Sequence, residues 1–101
     1  MKKIFLLCSA GMSTSLLVNK MKEVAESKGY KYDIVATSLA NLKDIKDKAD
    51  VILLGPQVRF DEDRVKKEAE NIPVSVVDMA AYGMMDGEKV LDQTRELLGD
   101  K

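Results

Sequence analysis

Small and hydroxyl-bearing residues surround the one cysteine of the chain, and this segment is the part of the sequence best suited to chemistry. It reads Cys8-Ser9-Ala10-Gly11-Met12-Ser13-Thr14-Ser15. Small residues let successive backbone N–H groups turn towards one point, and a helix that begins within the segment adds the positive end of its dipole. Hydroxyl groups supply further donors. The segment therefore predicts a binding site for a phosphate-sized anion, with the cysteine at its rim.

The same surroundings make Cys8 a candidate nucleophile. A negative charge near a helix N-terminus is stabilised, which favours the thiolate over the thiol. A thiolate at this place can attack a phosphoryl group and hold it as phosphocysteine within the ring of amides. The alternative is that Cys8 is a small buried apolar residue at a strand end and that Ser13 is a helix cap. The composition of the segment favours the nucleophile.

Composition excludes several other chemistries. The 101-residue chain has no histidine, which removes Ser-His-Asp triads, Cys-His pairs and the usual zinc ligand sets, and no metal is expected. One cysteine permits no disulfide within the chain, which suits a reducing, cytoplasmic setting. A net charge of -1 does not indicate nucleic acid as a partner. The apolar run at residues 4–8 is too short for a signal sequence or a membrane span, so no membrane insertion is expected.

Hydrophobic periodicity predicts strands and helices in alternation. Apolar or alternating runs predict four strands, at residues 4–7, 32–37, 51–54 and 74–77. Helical spacing of apolar residues predicts four helices, over residues 13–29, 39–45 and 58–71 and after Asp86. Residues 78–83 are expected to form a loop, in which Asp78 is a cap or turn residue rather than a catalytic acid.

These four strand–helix units predict an α/β fold. Right-handed crossovers give an open, doubly wound, four-stranded parallel sheet in the order 2-1-3-4, with helices on both faces. Ligands of such sheets bind where the winding reverses, here between the first and third strands, and the loops that meet there begin at Cys8 and Gly55. Gly55-Pro56-Gln57 is either an ordinary turn or a frame for the site, in which Gln57 can bond a phosphoryl oxygen or a partner.

The chain resembles the IIB component (EIIB) of the bacterial phosphoenolpyruvate-dependent sugar phosphotransferase system (PTS). The resemblance lies in residues 6–18 and 51–57 and in the pair Tyr82-Gly83. The nearest branch is the lactose/cellobiose/chitobiose family, and the resemblance covers essentially the whole chain. It implies a single PTS EIIB-type domain over residues 1–101 and a fold similar to that of low-molecular-weight tyrosine phosphatases.

The resemblance also implies an activity. Cys8 would accept a phosphoryl group from a phosphohistidine of the IIA component and pass it to a sugar taken up through the membrane component IIC. The chain would then be a cytoplasmic protein-phosphohistidine–sugar phosphotransferase that needs no cofactor. The cysteine segment is more similar to cellobiose and chitobiose members than to lactose members, which implies cellobiose, chitobiose or a related β-disaccharide as the sugar.

Further residues are expected to frame this site or to contact a partner. Met12 lies in the cysteine segment itself, and methionine suits an adaptable partner surface. The others follow the third and fourth predicted strands and are Gly55, Pro56, Gln57, Tyr82 and Gly83.

The alternative function is hydrolysis, as in the low-molecular-weight tyrosine phosphatases, which share a cysteine loop on a similar sheet. That family has an arginine six positions after its cysteine, where this chain has Thr14. Without a guanidinium group to stabilise the transition state, and without an obvious acid for the leaving group, hydrolysis should be slow. Slow hydrolysis suits a carrier, because a carrier must not lose its phosphoryl group to water.

Overall fold

Four strands and five α-helices alternate in the computed structural model, which describes residues 1–9 and 12–100 apart from the side chains of residues 12 and 13. The strands are β1 (Lys2–Cys8), β2 (Tyr32–Ser38), β3 (Val51–Leu54) and β4 (Val74–Val76). The α-helices are α1 (Met12–Lys28), α2 (Leu42–Ile45), α3 (Glu62–Ala69), α4 (Met79–Gly83) and α5 (Gly87–Leu98). Short 3-10 helices precede α2 and α3, at Leu39–Asn41 and Pro56–Asp61. None of the helices in the described part of the chain has the length and apolar character needed to cross a membrane.

The strands form one parallel sheet in the order β2-β1-β3-β4, which confirms the predicted topology. Within it Leu7 of β1 lies opposite Leu54 of β3, and Cys8 lies opposite Ser38 of β2. The winding of the chain reverses between β1 and β3, so the segments that follow these two strands leave the sheet side by side. The predicted anion site lies at this end of the sheet.

Two buried clusters cover the two faces of the sheet. The first joins β1 and β3 to α1 and α5 and includes Ile4, Leu6, Leu17, Met21, Val51, Leu53, Val90 and Leu91. The second joins the same strands to α2 and α3 and includes Phe5, Leu7, Leu42, Ile45, Ile52, Leu54, Val65 and Ala69. Successive strand residues point to opposite faces, which explains why the near-continuous apolar runs need helices on both sides.

Helices α1 and α5 come into close contact at Gly87, the first residue of α5. A Cβ added to Gly87 would lie 2.7 Å from the carbonyl carbon of Lys20 and 2.8 Å from the backbone nitrogen of Met21. These atoms belong to the backbone of α1, so no rotamer change can move them away. Because Gly87 has no side chain, the start of α5 packs directly on the backbone of α1.

Two helices differ from the prediction. Residues 78–83 contain α4 rather than a loop, and Asp78 caps this helix by accepting a hydrogen bond from Ala81 N at 3.0 Å. A helix of five residues that buries only Ala81 has too short an apolar pattern for periodicity to detect. The helix predicted over residues 58–71 is α-helical only from Glu62 to Ala69, because Val58 has non-helical backbone angles and the chain before Glu62 forms 3-10 turns.

A side chain of α5 covers the outer edge of β4. Gln93 Nε2 donates to the carbonyl oxygen of Val76 at 2.9 Å, and Gln93 Oε1 accepts from the backbone N–H of Asp78 at 3.2 Å. These two backbone groups flank Val77 and are the pair that a neighbouring parallel strand would bond. The carboxamide of Gln93 thus takes the place of the N–H and C=O groups that one residue of a fifth strand would supply.

A charged network joins the chain ends at the opposite end of the sheet from the cysteine. Lys2 Nζ lies 2.6 Å from Asp100 Oδ1, and the Tyr32 hydroxyl donates to Asp100 Oδ2 at 2.7 Å. Arg95 Nε donates to the Tyr32 hydroxyl at 3.1 Å, and its guanidinium lies 3.9 Å from the ring centre of Tyr30. The network ties the residues after α5 to β1 and β2.

Acid is expected to weaken this network. Hydrogen bonds from Lys2 and then from Tyr32 hold the pKa of Asp100 below its ordinary value of 3.8. A carboxyl whose pKa is lower in the folded state stabilises the fold fully above its unfolded pKa, and that stabilisation is lost as the pH falls through its folded pKa. Melting temperatures of wild type and Asp100→Asn should therefore differ at neutral pH and converge as the pH falls below 3.8 and through the lowered pKa of Asp100. A difference that does not change with pH would contradict this expectation.

Candidate active site around Cys8

Cys8 lies inside the protein and not at the rim of a site. Its exposed fraction is 1%, and it is still part of β1. Alternation along the strand places its side chain on the face of Leu6, which α1 and α5 cover. The burial differs from the sequence prediction because the strand continues through the cysteine instead of ending before it.

A threonine hydroxyl of α1 contacts the sulfur of Cys8. Thr14 Oγ1 donates to Cys8 Sγ at 3.4 Å, and the Thr14 side chain is fully buried. Thr14 belongs to the first turn of α1, where backbone N–H groups without helical partners carry the positive end of the helix dipole. Both features stabilise negative charge at Sγ, whether it belongs to a thiolate or to an anionic group bonded to the sulfur.

Removing the Thr14 hydroxyl is expected to slow the alkylation of Cys8. Thr14→Val keeps the shape of the side chain but removes the donor to Sγ, so less thiolate is present at neutral pH. Loss of one net hydrogen bond corresponds to an iodoacetamide rate lower by about 3- to 10-fold. Thr94→Val is the matched control, since Thr94 is equally buried but donates to Val90 O in α5. Equal rates for wild type and Thr14→Val at every pH would contradict a role for the hydroxyl.

The turn after β3 packs against Cys8 through Gly55. Gly55 N donates to Leu7 O at 2.8 Å. A Cβ added to Gly55 would lie 3.6 Å from Cys8 Cβ and only 2.8 Å from Gln57 Oε1. The glycine therefore leaves room for the Gln57 side chain, and Gln57 and Cys8 flank it. Pro56 is buried at the start of the 3-10 helix, which suits framing of the site better than contact with a partner.

A hydrogen bond joins this turn to α4. Gln57 Nε2 donates to the Tyr82 hydroxyl at 2.9 Å, and Tyr82 packs against the cluster that α1 and α5 cover. Gly83 ends α4 and is exposed, with open space where a Cβ would be. The sequence singles out Gln57 and Tyr82 separately, but nothing in their spacing signals the bond between them.

Only part of the predicted anion-binding segment is described by the structure. Ser9 is exposed directly after β1, and Ser15 is exposed in the first turn of α1. Outside the described residues lie Ala10 and Gly11 and the side chains of Met12 and Ser13.

Ser38, at the end of β2, also belongs to this region and is missing from the sequence prediction. Its hydroxyl donates to Ser9 O at 3.4 Å and accepts from Ala40 N at 3.2 Å. It thus caps the 3-10 helix before α2 and contacts the backbone of the residue after Cys8. A serine directly before a predicted helix is a typical N-cap, so the capping role could have been recognised.

Known proteins resemble the chain along most of its length. Residues 3–93 match the family model described as "PTS system, Lactose/Cellobiose specific IIB subunit". An oligo-beta-mannoside-specific EIIB component of Bacillus subtilis is 51% identical over 100 residues, covering 97% of both chains. A galactose-specific and a cellobiose-specific EIIB component, from two subspecies of Lactococcus lactis, are each 46% identical over 104 residues, covering 96% of both chains.

The fold also matches a solved structure. The solution structure of a cellobiose-specific phosphotransferase IIB component from Borrelia burgdorferi superposes with a TM-score of 0.81 at 37% identity. The superposition covers 97% of this chain and 92% of the other. The similarity therefore includes the whole sheet and the helices that surround Cys8.

Proposed function

Because the chain belongs to the lactose/cellobiose-specific IIB family of the PTS, we propose that Cys8 carries a phosphoryl group between two partner proteins. EIIB components act as phosphotransferases in sugar uptake and work with IIA and IIC partners. In the proposal the donor is a phosphohistidine of IIA, and the acceptor is a sugar taken up through IIC at the cytoplasmic side of the membrane. The observation that carries it is the contact of Thr14 Oγ1 with Cys8 Sγ at the start of α1.

The first transfer forms one bond and breaks another at phosphorus. The Cys8 thiolate attacks in line with the P–N bond of the donor, and that bond breaks with its electron pair staying on the imidazole nitrogen. The nitrogen then takes up a proton. Backbone N–H groups at the start of α1 face the phosphoryl oxygens and stabilise their charge. Catalysis of this kind depends on positioning and charge stabilisation, which a thiolate and a set of donors supply.

The second transfer returns the electron pair to sulfur. A sugar hydroxyl oxygen attacks phosphorus, the S–P bond breaks, and the hydroxyl proton passes to a base of the partner complex. Thr14 Oγ1 is placed to stabilise the departing thiolate, because it already donates to Sγ when no phosphoryl group is present. The same hydroxyl therefore serves both the attack and the departure of the sulfur.

Two features favour a carrier over the phosphatase alternative. Thr14 contributes a neutral hydroxyl where a phosphatase would have a guanidinium group, so the charge of a transfer to water is less well stabilised. Asp78, the acidic residue that follows β4, accepts the N–H of Ala81 as a helix cap instead of facing a leaving group. A phosphocysteine at Cys8 should therefore persist until a partner binds.

Intact mass spectrometry tests the proposal. The protein is incubated with phosphoenolpyruvate, the general phosphotransferase proteins and a cognate IIA, and the expected result is a mass increase of one phosphoryl group. The adduct should decay slowly in buffer and quickly when IIC and a β-linked disaccharide are added. Hydrolysis of aryl phosphates at about 1 per second or faster would instead support the phosphatase.

The proposed sugar is a β-linked disaccharide such as cellobiose or chitobiose. The three relatives named above are specific for an oligo-beta-mannoside, galactose and cellobiose, so the family serves sugars of more than one kind. Sugar recognition belongs to IIC, and the sugar is therefore identified with the cognate IIC present. Supplying cellobiose, chitobiose, mannobiose and galactose in turn, and measuring the loss of the phosphoryl group, assigns the substrate.

A further inference from the structure

The outer edge of β2 is open, in contrast to the edge of β4 that a side chain covers. Leu7 O accepts from Gly55 N on the β3 side, so the neighbouring residue Leu6 directs its backbone groups towards β2. Leu6 lies opposite Ala36, and in a parallel pair it bonds the two neighbours of Ala36 rather than Ala36 itself. The backbone N–H and C=O groups of Ala36, and by the same alternation those of Ile34, therefore point away from the sheet.

A groove follows these outward groups. Among the described residues, none forms a backbone hydrogen bond with Ile34 or Ala36 on this side. The groove has a volume of about 230 Å³, lies between β2 and α1, and is lined by Val18 and Lys22 of α1. Val35 also lines it and is 36% exposed. A strand edge with free backbone groups and an exposed apolar residue is a template for a further strand.

We propose that this further strand is β2 of a second copy of the chain, in antiparallel orientation. The middle residue of β2 is Val35, so a two-fold axis at Val35 pairs the strand over its whole length. Ile34 then lies opposite Ala36 of the partner subunit. Both residues point outward, so each such pair exchanges two hydrogen bonds, as an antiparallel ladder requires. A register shifted by one residue would oppose outward groups to inward ones.

The side chains are complementary in this register. Ile34 and Ala36 pack towards α1, so Val35 lies on the other face of the sheet, where it meets its own copy. Residues opposite each other without hydrogen bonds approach closely, so two exposed valines become buried. Asp33 lies opposite Thr37 of the partner subunit, and each carboxylate thus faces a hydroxyl donor. Asp33 carries the one charge within β2, so no like charges are opposed in the ladder.

The pairing stops at two copies. It uses the β2 edge of each copy, and the remaining edges of the eight-stranded sheet are those of β4, where Gln93 lies. Cys8 lies beside Ser38 at the end of β2, and the two β2 strands run in opposite directions. One cysteine site is therefore at each end of the shared sheet. An interface built on one strand pair is small, so the dimer should dissociate on dilution.

Two substitutions of Thr37 should change the dissociation constant of the dimer in opposite directions. Thr37→Lys places an ammonium group opposite Asp33 of the partner subunit at two symmetric positions, so the dimer should tighten about 2- to 10-fold. Thr37→Asp opposes two carboxylates at the same positions and should weaken it by a similar factor. Both variants lose the bond from Asn41 Nδ2 to Thr37 Oγ1, so they are matched in that respect. Sedimentation equilibrium over a range of concentrations measures the constant.

A lysine at the two-fold axis tests where the copies meet. Val35→Lys opposes two ammonium groups and removes the valine pair, so it should weaken the dimer about 5- to 10-fold. Phe60→Lys is the matched control, because Phe60 is 83% exposed but lies after β3 and away from the β2 edge. It adds the same charge and should leave the dissociation constant unchanged.

Amide hydrogen exchange locates the interface residue by residue. The N–H groups of Val35 and Thr37 bond β1 in the single copy, whereas those of Ile34 and Ala36 point outward. At concentrations at which the dimer forms, Ile34 and Ala36 should become protected as well. A chain that is monomeric at every concentration, or Thr37 variants that change the constant in the same direction, would overturn the proposal. So would a dimer that Phe60→Lys weakens and Val35→Lys does not. None of these measurements needs a phosphoryl donor, so the result is independent of the proposed function.

Discussion

Cys8→Ser is expected to fold normally and to accept no phosphoryl group. A serine hydroxyl at neutral pH is far less ionised and less nucleophilic than a thiol, and the chain has no histidine to receive the group instead. The described structure provides the new hydroxyl with a partner in Thr14 Oγ1, which now donates to Cys8 Sγ, so the buried site can hold serine without an orphaned polar group. Intact mass after incubation with phosphoenolpyruvate, the general proteins and IIA measures the loss.

The control for this variant is stability. Melting curves and far-ultraviolet circular dichroism of Cys8→Ser and wild type should agree closely, because the two side chains differ by one atom. Thr14→Val serves as the comparison for chemistry, since it should react more slowly and still become phosphorylated. A mass increase of one phosphoryl group in Cys8→Ser would show that another residue is the acceptor.

Gly87→Ala is expected to cause the largest loss of stability among single-methyl additions to the described glycines. The new Cβ would lie within 2.9 Å of three atoms of Lys20 and Met21, two of them backbone atoms of α1. The helices must therefore move apart, and overpacking of this kind costs about 2 to 3 kcal/mol. For a domain of this size the melting temperature should fall by roughly 10 to 20 °C. Thermal and denaturant unfolding measure the effect.

Gly83→Ala is the matched control for that substitution. Gly83 also lies at the end of a helix, but a Cβ there would have no atom within 4 Å, and its φ is not positive. Replacing it should change the stability by less than about 1 kcal/mol and can raise it by restricting the unfolded chain. Equal melting temperatures for Gly87→Ala and Gly83→Ala would mean that α1 and α5 are not in the close contact described.

Local patterns were sufficient to predict the sheet and the helices with long apolar stripes. The buried part of β1 and the whole of β3 are apolar at every position, which is typical of strands buried on both faces. The strand order followed from the handedness of crossovers. Helix α4 was not predicted, because five residues are too few to establish a helical period of apolar residues. Its cap, Asp78, was recognised by residue type alone.

The site could be predicted from sequence only where its parts are close along the chain. Cys8 and Thr14 belong to one short segment, and their residue types indicated an anion site. The Gln57–Tyr82 bond joins residues 25 positions apart and depends on how the turn after β3 faces α4, which no local pattern encodes. The burial of Cys8 was weighed only as the alternative to a cysteine at the rim of the site, because the helices that cover the last residue of the strand come later in the chain.

The carboxamide of Gln93 also bears on how this protein behaves in concentrated solution. An uncovered strand edge is a template on which other chains can add strands, and it leads to aggregation. The β4 edge is closed by a side chain of the same molecule, which satisfies a backbone acceptor and a backbone donor at the point where sheet growth would start. The chain thus has a built-in barrier to polymerisation at this edge of the sheet, formed by a side chain that takes no part in the proposed chemistry at Cys8.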